Sequence, residues 1–233
     1  MESREKAQRL IMAGKVRAGD RVFRKASEQV PDGLEVAVVG EEKFVSRGGY
    51  KIEKALDHFQ VDVTGLTALD AGASTGGFTD CLLQRGAVKV YAVDVGQGQL
   101  AWKLRQDPRV VVREKLNARN MSPKHLDSDF CLVDLIVVDC SFISLKALLP
   151  NLMHFVKKGG LILALIKPQF EAGKDEVDRG KGVIRDPAIH DQVIRMLEDF
   201  TASLELLDWR GVVESPILGP SGNKEFLVCL DKL

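Results

Sequence analysis

Residues 69–79 read Leu69-Asp70-Ala71-Gly72-Ala73-Ser74-Thr75-Gly76-Gly77-Phe78-Thr79, which is a strand end, a turn of small residues and the start of a helix. Glycine tolerates positive φ and lets backbone N–H groups come close to a ligand, while the following helix offers its positive end to a carboxylate or phosphate. A nucleotide-like cofactor is therefore expected at this turn. A dinucleotide fingerprint would read G-x-G-x-x-G, whereas this turn reads Gly72-x-Ser74-x-Gly76-Gly77 and is led by Asp70. The next segment, Lys89-Val90-Tyr91-Ala92-Val93-Asp94, is β-branched and aromatic and ends in an acid. A carboxylate at the end of the second strand accepts from both ribose hydroxyls, and this reading of Asp94 is preferred to simple capping of the next helix. Asn117, just after the Val110-Val111-Val112 strand, is placed to contact an adenine, although a lone Asn more often serves a turn.

Outward from this unit, strands and helices alternate. Strands are expected near 66–70, 89–94, 110–113, 133–138, 160–166, 205–213 and 224–230, and helices near 76–86, 98–105, 144–156 and 187–203. Such alternation predicts an α/β fold with a parallel sheet covered by helices on both faces. Ile52, Ala55, Leu56 and Phe59 give residues 50–60 an apolar helical face, so this domain is expected to run from 44 to 233. Residues 1–43 read as a separate small module. It has a helix over 3–13 with Ser3 as N-cap and Gly14 just past its end, a turn at Ala18-Gly19-Asp20 between short strands, and an alternating strand over 34–39.

The formal charge of the 233 residues is zero, yet residues 1–25 hold eight Lys/Arg against three Asp/Glu. A basic end on an otherwise acidic chain suggests a polyanion partner, against the plainer reading of a solvated helix face. The longest apolar run, Leu161–Ile166, is far too short to span a membrane, and the charged start has no signal-peptide core, so a cytoplasmic location is expected. Cys81, Cys131, Cys140 and Cys229 form no C-x-x-C pair and the four histidines are scattered, which argues against a metal site and for reduced cysteines acting as small buried apolar groups.

The fourth and fifth strands of the α/β domain end in Asp139-Cys140-Ser141-Phe142 and Lys167-Pro168-Gln169-Phe170. Ligands bind at the carboxyl edge of open α/β sheets, so Asp139 and Lys167 are expected to face the same crevice as the glycine turn. The polar, glycine-bearing stretch 171–186 shows no period and reads as a mobile loop beside Lys167.

The glycine turn resembles motif I of S-adenosylmethionine (SAM) methyltransferases, which makes Asp70, Gly72, Ser74, Gly76, Gly77 and Phe78, with Asp94 and Asn117, the candidate cofactor residues. Residues 3–16 resemble the second helix and following strand of the S4-type RNA-binding fold. That resemblance implies RNA contacts at Ser3, Arg4, Lys6, Arg9 and Lys15, in a module shortened at its N terminus by the family's first helix. Ser46-Arg47-Gly48-Gly49-Tyr50-Lys51, Asp70–Asp80, Asp139–Leu145, Lys167–Gly173 and Gly222-Asn223-Lys224-Glu225-Phe226 together resemble the TlyA (hemolysin A-like) family. These are FtsJ-like rRNA methyltransferases with an S4-type domain in front, built on a seven-stranded Rossmann-like sheet whose last strand is antiparallel.

The resemblance implies methyl transfer from SAM to a ribose 2′-hydroxyl, of cytidine, in ribosomal RNA or its subunits. It also implies a catalytic set of Lys51, Asp139, Lys167 and Glu225, with Arg47 as a further RNA contact and no metal. By themselves Lys51 and Glu225 would pass for solvated surface charges. On this reading Lys167 is base or hydroxyl orienter, with Lys51 near it as a like charge that eases loss of its proton. Asp139 positions Lys167, and Lys51 and Glu225 form an outer pair. An RNA N-methyltransferase is the enzyme alternative, but Asp139-Cys140-Ser141-Phe142 lacks the prolines of the Asn/Asp-Pro-Pro-Tyr/Phe amine-binding motif. A membrane-lytic hemolysin is the other, and no lytic helix supports it.

Overall fold

The computed structural model describes residues 4–31, 33–40, 42–219 and 221–233, and the chain divides into two compact units, Met1–Lys43 and Phe44–Leu233. In the first unit, helix α1 (Arg4–Met12) ends as the sequence predicts. Gly14 takes φ +66°, its N–H bonds to Ile11 O, and Lys15 N–H bonds back to Leu10 O, the double closure of a glycine-terminated helix. Strands β1 (Val16–Ala18), β2 (Arg21–Phe23) and β3 (Ala37–Val38) form an antiparallel sheet in the order β2-β1-β3, with Val16 and Phe23 paired and buried. The expected strand over 34–39 shrinks to Ala37–Val38, because Leu34, Val36 and Val39 are exposed and have no face to bury.

The second unit opens with α2 (Gly48–His58), followed by β4 (Thr67–Ala71), α3 (Gly77–Gln84), β5 (Lys89–Val93), α4 (Trp102–Arg105), β6 (Val110–Arg113), β7 (Val133–Val138) and α5 (Leu145–Leu152). It continues with β8 (Val156–Ile166), α6 (Pro168–Glu171), α7 (Lys174–Arg179), α8 (Pro187–Ala202), β9 (Leu207–Glu214) and β10 (Phe226–Lys232). The seven strands run in the order β6-β5-β4-β7-β8-β10-β9, parallel from β6 to β8, with β10 antiparallel to both of its neighbours. Strand order reverses at β4/β7, and the crevice there is where such sheets bind ligands. One core joins α2, α3 and α4 to one face of the sheet, and a second joins α5 and α8 to the other.

Three expectations need correction. Helix α4 begins at Trp102 rather than near 98, since Gly96 and Gly98 flank the approach and Gly98 takes φ +72°. Strand β8 starts four residues early, at Val156, which pairs with Val133 before a register shift that leaves Lys157 and Lys158 exposed. The stretch 171–186 is not a featureless loop, for it follows α6 and carries α7. It is tethered at both ends, by the Glu171 carboxylate, which accepts from Ser144 Oγ and Leu145 N–H, and by Asn223, which binds Gly182 O and Ile184 N–H. Among the cysteines, Cys81 and Cys229 are buried as expected, whereas Cys131 is exposed and Cys140 half-buried.

Candidate active site

Two cavities lie along the carboxyl edge of the sheet, and Gly72, Ser74, Asp139 and Ser141 form a wall common to both. Gly72, at φ +87°, makes this wall possible: a Cβ there would sit 2.8 Å from the Asp139 carbonyl oxygen, so only glycine lets the ends of β4 and β7 close together.

The larger cavity has a volume of about 560 Å³, within the range that holds a small organic ligand. Val93, Leu116, Ile143 and Leu148 give it apolar walls, and the Asp94 carboxylate and Asn117 supply polar groups. Asp94 accepts from Ser74 N–H at 2.8 Å and Gly96 N–H at 2.7 Å, which fixes both oxygens while leaving lone pairs for hydroxyl donors. Asn117 accepts from Arg119 N–H at 2.9 Å and opens a short 3-10 turn, so its plain turn role and a place on the cavity wall coexist.

The smaller cavity, of about 270 Å³, brings together Lys51 from α2, Asp139 after β7, Lys167 after β8 and Glu225 before β10. They form two ion pairs, Lys51 Nζ to Glu225 Oε2 and Lys167 Nζ to Asp139 Oδ1, each at 2.6 Å. Lys51 and Lys167 are each 7% exposed and Glu225 is 1% exposed, contrary to the solvated surface charges their residue types suggest. Each lysine thus has its own carboxylate partner. Lys167 Nζ also donates to Ser141 Oγ at 2.9 Å. Gly77, Phe78 and Arg47 line this cavity rather than the larger one, and Arg47 is exposed.

Two expected cofactor residues fall off both linings. Asp70 is fully buried, and its Oδ2 takes the Thr79 N–H and hydroxyl, pinning the start of α3 to β4. Burial, with Asp139 and Asp94 as like charges, pushes its carboxyl up to about 7. Gly76 occupies the N-cap of α3 at φ +95°, and a Cβ there would strike Leu104 and Leu100 in the core rather than the cavity.

Of the expected RNA contacts, Ser3 and the side chain of Lys6 lie outside the described residues. Arg4 and Arg9 are exposed on α1, and Lys15 donates to Gly40 O and pairs with Glu42 at 3.6 Å.

The residue reading assigned no role to Ser141 or Phe142, although both stood in the motif that ends β7. Phe142 is 90% exposed at φ +62° and packs on Phe170 with ring centroids 5.1 Å apart, an arrangement that an aromatic residue beside an acidic strand end signals only weakly. Among the described residues no cluster of His, Cys, Asp or Glu could hold a metal ion, and no helix is long and apolar enough to cross a membrane.

The FtsJ-like methyltransferase family matches residues 44–232. YqxC of Bacillus subtilis, named as a candidate rRNA methyltransferase, is 47% identical over 232 residues, which cover 98% of this chain and 80% of its own. The 16S/23S rRNA (cytidine-2'-O)-methyltransferase TlyA of Mycobacterium tuberculosis is 46% identical over 232 residues, covering 98% of this chain and 84% of its own. A solved structure named as a candidate hemolysin from Streptococcus thermophilus superposes with a TM-score of 0.79 at 44% identity, covering 100% of this chain and 84% of that one.

Proposed function

Because the chain belongs to the FtsJ-like methyltransferase family, we propose that it transfers a methyl group from SAM to the 2′-hydroxyl of a cytidine in ribosomal RNA. The observation that carries this reading is the pair of buried lysine–carboxylate bridges lying just across a shared wall from a cavity of cofactor size. The larger cavity suits SAM by its donor set. Asp94 would take the ribose hydroxyls, Asn117 the adenine edge, the apolar walls the flat base, and the Gly72–Thr75 turn the methionyl end. When bound, SAM supplies a methyl group already activated by a sulfonium charge, so no metal is required.

The acceptor chemistry falls to this chain. A ribose hydroxyl is a poor nucleophile until it is aligned and its proton has somewhere to go. Lys167, held by Asp139 of the shared wall, orients the hydroxyl oxygen and, acting as the neutral amine, takes up its proton, and Asp139 holds the resulting ammonium. Lys51 and Glu225 fix the ribose from the opposite side, and their mutual pairing cancels their two charges, which suits a neutral sugar edge. The small first unit serves as an RNA anchor of the S4 type, and a ribosomal RNA substrate supports a cytoplasmic location.

Lys167→Ala tests the reading. Transfer of labelled methyl from SAM to unmodified ribosomal subunits is expected to fall by about 10²–10⁴-fold, with SAM binding by calorimetry nearly unchanged. Digestion should yield 2′-O-methylcytidine. A methylated base, or near-wild-type turnover by Lys167→Ala, would overturn it.

A further inference from the structure

We infer that Ser141 is a positioning residue for methyl transfer, its hydroxyl locking the rotation of the Lys167 amine so that the amine's one remaining direction faces the acceptor. The inference rests on the proposed function and goes beyond its four residues. A lysine nitrogen turns freely about its terminal C–N bond and carries three substituent directions besides that bond. One partner leaves it free to spin, whereas two partners at different angles fix all three directions. Lys167 has two: Asp139 Oδ1 at 2.6 Å and Ser141 Oγ at 2.9 Å. Ser141 also lines both cavities, which puts its hydroxyl at the seam the methyl group must cross.

The backbone holds that hydroxyl in place. Asp139 N–H is bonded to Ala71 O at 2.9 Å, anchoring the segment to β4. Beyond Ser141 the chain turns through Phe142 at φ +62°, a left-handed conformation that is costly for an aromatic residue and that persists only where the surroundings impose it. Packing of Phe142 on Phe170 then ties this turn to the residues following Lys167. Glu171, accepting from Ser144 Oγ and Leu145 N–H, closes the same two segments together further along. Donor and acceptor thus sit on two strand-end segments riveted to each other, as a group that must aim a nitrogen to within a fraction of an ångström requires.

The test compares Ser141→Ala with Ser141→Thr, which keeps the hydroxyl. Ser141→Ala is expected to lower kcat about 10–100-fold, the effect of a misaimed reacting group, while KM for ribosomal subunits and SAM affinity stay within about twofold and Ser141→Thr recovers most of the rate. Lysine-selective ¹⁵N NMR gives a readout independent of turnover. The Lys167 signal, assigned by its loss in Lys167→Ala, should broaden through faster proton exchange in Ser141→Ala and be retained in Ser141→Thr. Wild-type kcat in Ser141→Ala, an unrescued Ser141→Thr that folds and binds SAM, or an unchanged Lys167 signal would each overturn the inference. An inactive wild-type protein would instead refute the proposed function, and the NMR comparison would still decide the Ser141–Lys167 contact.

Discussion

Asp70 leads the glycine turn, yet it is fully buried and lines neither cavity. One carboxylate oxygen is spent on Thr79, and the other, Oδ1, is buried without a hydrogen-bond partner. Burial without compensation disfavours the charged form, hence a carboxyl pushed up from 3.8 to about 7. A folded state that keeps its proton up to about 7 binds more protons than the unfolded chain between these values, so this group's contribution to stability falls as pH rises through that window. Asp70→Asn keeps an acceptor for Thr79 and removes the titration. Urea unfolding at pH 5 and pH 8 should therefore show the variant gaining on the wild type as pH rises. Parallel stabilities at the two pH values would show that Asp70 is not the titrating group. A side chain at Gly76 would enter the core at Leu104 and strain a residue at φ +95°, so Gly76→Val is expected to lower stability in urea unfolding.

Helix α2 and the residue just before β10 meet across 174 residues of sequence through Lys51 and Glu225. Removing one partner strands the other charge in a dry site, so Lys51→Met is expected to cost about 3–5 kcal/mol in chemical denaturation. The double variant Lys51→Met with Glu225→Leu should regain most of that stability and remain inactive; if the single variant is as stable as wild type, the pair is not buried in solution. This pair also marks the limit of what the sequence could yield. The strands of the second unit and the turn at 72–77 are visible because their signals are local: alternation, β-branched runs, and glycines where positive φ is needed. Asp139 and Lys167 are readable from their positions at strand ends. Lys51 and Glu225 are not, since nothing within a few residues of either foretells a partner so distant, and only the family resemblance singled them out. Helices α6 and α7, four and six residues long, are too short to show a period, and the tethers on that stretch come from Ser144, Leu145 and Asn223, all remote in sequence.

Across the molecule, charge is unevenly divided. The first 25 residues hold the excess of Lys and Arg, and the rest of the chain balances it with acids, so the protein as a whole is neutral. A neutral protein that binds a polyanion must do so through a local patch, and affinity from phosphate contacts falls with salt in proportion to their number. Arg4 and Arg9 are exposed on α1, whereas Lys15 already engages Gly40 O and Glu42 and has less charge to offer. Replacing Arg4 and Arg9 together by Gln should therefore weaken binding to ribosomal RNA and flatten the slope of log affinity against log salt by about one to two, while Lys15→Gln moves it less. SAM affinity should be untouched in both, because the residues proposed to hold the cofactor all belong to the second unit. A titration over a range of salt concentrations decides it: an unchanged slope in the double arginine variant would return α1 to the role of a solvated helix face and leave RNA recognition to the methyltransferase unit.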